Sequence, residues 1–180
     1  SMVAFTGAVQ FSAAGMGGGD GFRAALKRKV AGESLSLMEC TGTGRVHLAK
    51  EARAVTVVDL DADTLAVESE ALLAVTPGLT LDVKFAGLSG AASGQGLATT
   101  TVNGTGQVAL LSEGPLIGLQ VAPGSPVVVD PDAFVASTGR TSLSMVSGVS
   151  WKSLVGEGSG EPFSLRFDGS GLVLVQPAER

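Results

Sequence analysis

Val102-Asn-Gly-Thr-Gly106-Gln-Val-Ala-Leu110 and Phe167-Asp-Gly-Ser-Gly171-Leu-Val-Leu-Val175 share one pattern, and Cys40-Thr-Gly-Thr-Gly44-Arg-Val-His-Leu48 is a third version of it. Gly44 precedes Gly106 by 62 residues, and Gly106 precedes Gly171 by 65. A period this regular describes how a fold is built before any residue is asked to do chemistry. It also supplies three versions of each position, so a conspicuous residue can be compared with its two internal counterparts. The spacing predicts one compact domain of three repeats, approximately 1–64, 65–126 and 127–180. The expected class is mainly β: three antiparallel β units, sandwich-like, in a pseudo-threefold arrangement with one or two short helices.

The second repeat reads most clearly. Leu65-Ala-Val-Glu-Ser-Glu-Ala-Leu-Leu-Ala74 alternates and then becomes apolar, as a strand, a tight turn and a second strand would. Val127-Val-Val-Asp-Pro-Asp-Ala-Phe-Val-Ala136 repeats it, with Glu68/Glu70 matched by Asp130/Asp132 and Pro131 supporting the turn. Leu79–Phe85 and Thr141–Met145 alternate at period two, the mark of strands with one buried face. Next come short apolar triplets at i, i+3, i+4: Phe22/Ala25/Leu26, Leu88/Ala91/Ala92 and Trp151/Leu154/Val155. That spacing suits one helical turn, although the glycines around the middle triplet weigh against a helix there. Each Gly-x-Gly is then read as the turn of a hairpin, because glycine accepts positive φ. Val46/Val108/Val173 and Leu48/Leu110/Val175 mark one buried face. The first repeat lacks a leading strand equivalent to Leu65–Val67 and Val127–Val129. Either residues before Ser1 or another chain is expected to fill that place, since an open edge invites pairing.

Composition supports this class. The 26 glycines in 180 residues are about twice the usual ~7% share. With seven Phe, one Trp and no Tyr, aliphatic side chains must form the core. One cysteine excludes an intramolecular disulfide and fits a reducing, cytoplasmic setting. The net charge of −5 is uneven: residues 1–53 carry seven Lys/Arg against four Asp/Glu, and the remainder five against thirteen. An acidic chain with one small basic cluster is poorly suited to nucleic acid.

The candidates for chemistry are few. His47, the lone histidine, is matched by Ala109 and Leu174, so a strand role is expected; one imidazole also argues against a transition-metal centre. Cys40, matched by Val102 and Phe167, is expected in the core. Asp59-Leu-Asp61-Ala-Asp63 lacks the glycine of a calcium loop and reads as a solvated turn, its counterpart Val121–Ser125 being an ordinary turn. Gly15–Gly21 lacks the Gly-Lys-Ser/Thr ending of a phosphate loop. Arg23, Lys27, Arg28 and Lys29, beside Phe22, Leu26 and Val30, form a short basic amphipathic segment that could meet an anionic membrane or a phosphate-bearing partner. No catalytic, cofactor or metal site emerges. The expectation is a non-enzymatic structural or protein-interaction module able to self-associate. The alternative is a module binding a small ligand, nucleic acid or anionic lipid through residues 23–29.

Ser1-Met-Val-Ala-Phe-Thr-Gly7, Ala31-Gly-Glu-Ser-Leu-Ser-Leu-Met-Glu-Cys40-Thr-Gly-Thr-Gly44 and Gly171-Leu-Val-Leu-Val-Gln-Pro177 resemble the altered-inheritance-of-mitochondria family, in particular its actinobacterial members. The resemblance implies an all-β fold similar to the tryptophan-RNA-binding attenuation protein, repeated three times per chain, with a strand ahead of the Ser-Met-Val segment. Mitochondrial relatives are associated with inner-membrane organisation. The resemblance implies no catalytic residues, and the ligand and RNA motifs of the attenuation protein are not found here; shared fold alone does not transfer function.

Overall fold

Alternating Val, Leu and Thr between glycine-rich turns gives ten β-strands in a computed structural model that describes residues 1–13, 37–86, 97–146 and 163–177. They are β1 (Met2–Ala13), β2 (Met38–Leu48), β3 (Ala54–Glu68), β4 (Leu72–Val75), β5 (Leu79–Ala86), β6 (Leu97–Ser112), β7 (Ile117–Val121), β8 (Val127–Val129), β9 (Phe134–Val146) and β10 (Ser164–Val175). All pairings are antiparallel. β1 and β2 form a two-stranded sheet; the rest form an eight-stranded sheet of order β4-β6-β3-β9-β10-β7, with β5 also on β6 and β8 also on β10. The mainly antiparallel β class expected from the sequence is therefore found. Among the described residues the helical content is two single 3₁₀ turns, Ser69–Ala71 and Pro131–Ala133, where tight turns were expected. The apolar triplets expected to be helical lie outside the described residues.

Acidic side chains build those turns. The Glu68 carboxylate accepts from the backbone N–H of Glu70 and Ala71, and Asp130 accepts from the N–H of Asp132 with Pro131 at the start of the turn. Each carboxylate thus satisfies donors that a turn would otherwise leave without partners. The chain emerges into β4 or β9, ready to pair with β6 or β10.

The Gly-x-Gly segments do not reverse the chain, contrary to the hairpin-turn expectation. Each lies within a long strand, β2, β6 or β10. Gly42, Gly104 and Gly169 take φ of 109°, 125° and 112°, so positive φ is indeed used, but in a continuing strand. The second glycine answers a different need. At Gly44 and Gly171 a Cβ would run into the carbonyl oxygens of Thr6 and Thr138 on the paired strand. Close backbone approach, with Gly7 opposite Gly44 and Gly139 opposite Gly171, is what the motif permits. The stretch Asp59–Asp63, expected as a turn, lies inside β3. The register against β6 slips between Leu60 and Asp63, and Ala62 takes φ 52°, as in a bulge.

Two apolar cores result among the described residues. The first joins Leu60, Leu65, Val67, Leu81, Val102, Val108 and Leu110 to Val135 and Ala136 of β9, with Leu174 packed against it. The second contains Val121, Phe134, Leu165, Phe167 and Val173, with the rings of Phe134 and Phe167 stacked at 5.3 Å. Neighbouring Phe134 and Val135 therefore enter different cores, so β9 is buried on both sides at this point. Full burial of one such side chain is worth roughly 1.5–3 kcal/mol. At the far end of β10, Gln176 is 2% exposed. Its side chain donates to the Asp132 carbonyl and accepts from the Glu113 N–H, while its own N–H donates to the Ala133 carbonyl.

Candidate functional surface

The β1–β2 hairpin exposes what β6 and β10 bury. Along β2 the inner row is Met38, Cys40, Val46 and Leu48; the glycine spacing matches these to Thr100, Val102, Val108 and Leu110 on β6, and to Leu165, Phe167, Val173 and Val175 on β10. All eight matched residues are buried, seven of them at 1% exposure or less. On β2, Met38 is 47% exposed, Cys40 is exposed, and Val46 and Leu48 are half-buried. The cause is the third strand. β6 carries β3 along its second edge and β10 carries β7 and β8, whereas β2 pairs with β1 alone among the described residues. Cys40 is thus exposed and not in the core as its counterparts suggested, since among the described residues no further strand closes over it.

Across β1 the same face presents Phe5 opposite Val46 and Phe11 opposite Cys40, the two rings meeting edge to face at 5.1 Å. The opposite row of β2 is polar: Glu39, Thr41, Thr43, Arg45 and His47, all exposed. Further exposed apolar residues include Ile117 on β7, Leu143 on β9, and the valines Val3 on β1, Val55 and Val57 at the start of β3, and Val128 in β8. These valines were not singled out from the sequence, although the alternation Val55-Thr-Val57 signalled a strand with an apolar row.

His47 is an exposed strand residue opposite Ala4. Two of the three aspartates of β3 are engaged at the bulge: Gln107 donates to Asp59, and Thr138 and the Thr64 N–H donate to Asp63. Among the described residues no group of three or more His, Cys, Asp or Glu is placed to hold a metal. Arg166 and Asp168 form an exposed two-pronged pair on β10 at 2.7 and 3.1 Å. The hydrogen bond and the opposite charge raise the arginine pKa, and the arginine lowers that of the aspartate through the same bond. Arg23, Lys27, Arg28 and Lys29, and the loop Gly15–Gly21, lie outside the described residues. No helix among the described residues is long and apolar enough to cross a membrane.

Fold and surface together define an antiparallel β protein whose described residues offer strand edges and apolar rows as the principal features available to another molecule. Over its whole length it is similar to a crystal structure of a Streptococcus pyogenes protein, with a TM-score of 0.74 and 21% identity, covering 99% of this chain and 81% of that one. No curated protein matches the chain. The family model for mitochondrial biogenesis AIM24 matches residues 1–178, and the chain belongs to that family.

Proposed function

We propose that this chain is a non-enzymatic structural or protein-interaction module, built from three related β units and serving as a scaffold. The observation that carries the reading is the unequal burial of matched faces: β6 and β10 cover theirs, and β2 leaves Met38 and Cys40 in solvent. An exposed apolar row beside a strand edge that carries no partner among the described residues favours association by strand addition. Three related units are supported by the repeated glycine pairs Gly7/Gly44 and Gly139/Gly171 and by the carboxylate-capped turns at Glu68 and Asp130. Protein partners or further copies of the chain are the proposed ligands, with a role in membrane-associated organisation consistent with the family's link to mitochondrial biogenesis.

The test is native mass spectrometry of the protein isolated from its own host, beside a Phe5→Ser/Val57→Ser variant. A discrete protein complex that is lost in the variant is the expected result. A complex indifferent to both substitutions overturns the reading, as does an added small-molecule mass in place of a protein. Retention of anionic vesicles that disappears in Lys27→Glu/Arg28→Glu and with rising salt would favour the lipid alternative.

A further inference from the structure

We propose that β2 is a self-complementary edge through which two copies of this chain join as a symmetric dimer. The inference rests on the interaction-module reading and names the partner. β2 runs from Met38 to Leu48, so its midpoint is Thr43. Antiparallel pairing of two copies about that residue places Met38 against Leu48, Glu39 against His47, Cys40 against Val46, Thr41 against Arg45, Gly42 against Gly44 and Thr43 against itself. Every pair is matched in kind. Apolar residues meet apolar residues on the inner face, where Phe5 and Phe11 extend the same row onto β1. On the outer face Glu39 faces His47 and sits diagonal to Arg45, with no like charges directly opposed. The two glycines at the centre carry no side chains to obstruct the approach.

Among the described residues no strand pairs with the far edge of β2. The corresponding edges of β6 and β10 already carry β3 and β7–β8. Two-fold symmetry makes a single edge both donor and acceptor, which is the commonest way for one surface to close on itself. Eleven residues paired in this way supply about ten backbone hydrogen bonds and produce a four-stranded sheet with the two β1 strands outermost. The register is fixed because a slip of one residue would send the apolar row to the polar face.

The register gives the test. In a Cys40→Ala background, Thr43→Cys places two thiols across the dyad, while Thr41→Cys places each opposite Arg45 of the other copy. Under mild oxidation of the full-length protein, Thr43→Cys is expected to yield a disulfide-linked dimer and Thr41→Cys to remain largely unlinked. Light scattering of the unmodified protein should show a dimer, and Glu39→Lys should weaken it roughly tenfold through two altered cross-strand pairs. These positions are exposed, so the fold should tolerate the changes. A monomer overturns the proposal, as does equal linkage at 41 and 43. Slow amide exchange along β2 in a monomer also overturns it, because another strand of the same chain would then occupy the edge. A monomer whose host complex still depends on Phe5 and Val57 would reject the symmetric dimer while retaining the interaction module.

Discussion

Two phenylalanine pairs separate the two ends of this molecule. Phe134 and Phe167 are each 1% exposed, while Phe5, which meets Phe11 at nearly the same ring separation, is 47% exposed. Ring contact alone therefore does not make a core; what differs is the strand laid beside the hairpin. β9–β10 gains β8 on one edge and β3 on the other, and β1–β2 gains neither among the described residues. Burial here is a property of neighbours more than of sequence.

The largest test of that difference removes matched side chains. Phe167→Ala should cost about 3–5 kcal/mol in denaturant unfolding, as expected for a large ring deleted from a closed core. Its counterpart Cys40→Ala should stay within about 0.5 kcal/mol, the usual range for a surface change. Equal losses at both positions would mean that β1–β2 is as firmly covered as β9–β10.

Glycine substitution probes the same contrast through the backbone. Gly169→Ala forces a side chain into left-handed φ and against the Arg140 carbonyl, and should lower global stability by about 1–3 kcal/mol. Gly42→Ala is strained in the same way against Ala8, but its effect should be confined to faster amide exchange within β1 and β2. A global loss from Gly42→Ala would couple the hairpin to the larger sheet more tightly than its pairing implies.

Removing the turn carboxylate in Asp130→Ala should cost about 1 kcal/mol, read as a shifted denaturation midpoint. The smallest effect belongs to Arg166–Asp168. Because folding lowers the aspartate pKa, any stabilisation from the pair is present above the ordinary carboxylate range and is lost as pH falls through the lowered value. Solvent screens this exposed pair, so Asp168→Asn should leave the unfolding midpoint unchanged within error at neutral pH and remove little of its acid dependence.

The sequence carried the alternation of Leu79–Phe85 and the strand–turn–strand of Val127–Ala136 with Pro131 in its turn, because those depend on neighbours a few residues away. That Glu68 and Asp130 cap the turns emerged only from the structure. The Gly-x-Gly motif misled about chain reversal, since positive φ serves a bulge within a strand as readily as a hairpin turn. Three aspartates concealed the middle of β3 for a similar reason: charged side chains suit a solvated turn and equally the outside of a bulge. The exposure of Cys40 goes with an edge of β2 that carries no strand among the described residues, which no local pattern encodes. Of the candidate residues, His47 stands on a strand as expected. The basic segment Arg23–Lys29 falls outside the described residues.

Gln176 sets a direction for how the chain comes apart. Strands ordinarily fray from their ends, but the end of β10 is fastened to the linker at Glu113 and to the turn at Asp132–Ala133 by three hydrogen bonds. Loosening there requires parting a buried amide from all three. Opening is therefore expected to start at β1–β2 before it reaches β10, so a protease that samples open states should release β1–β2 before it cuts β10.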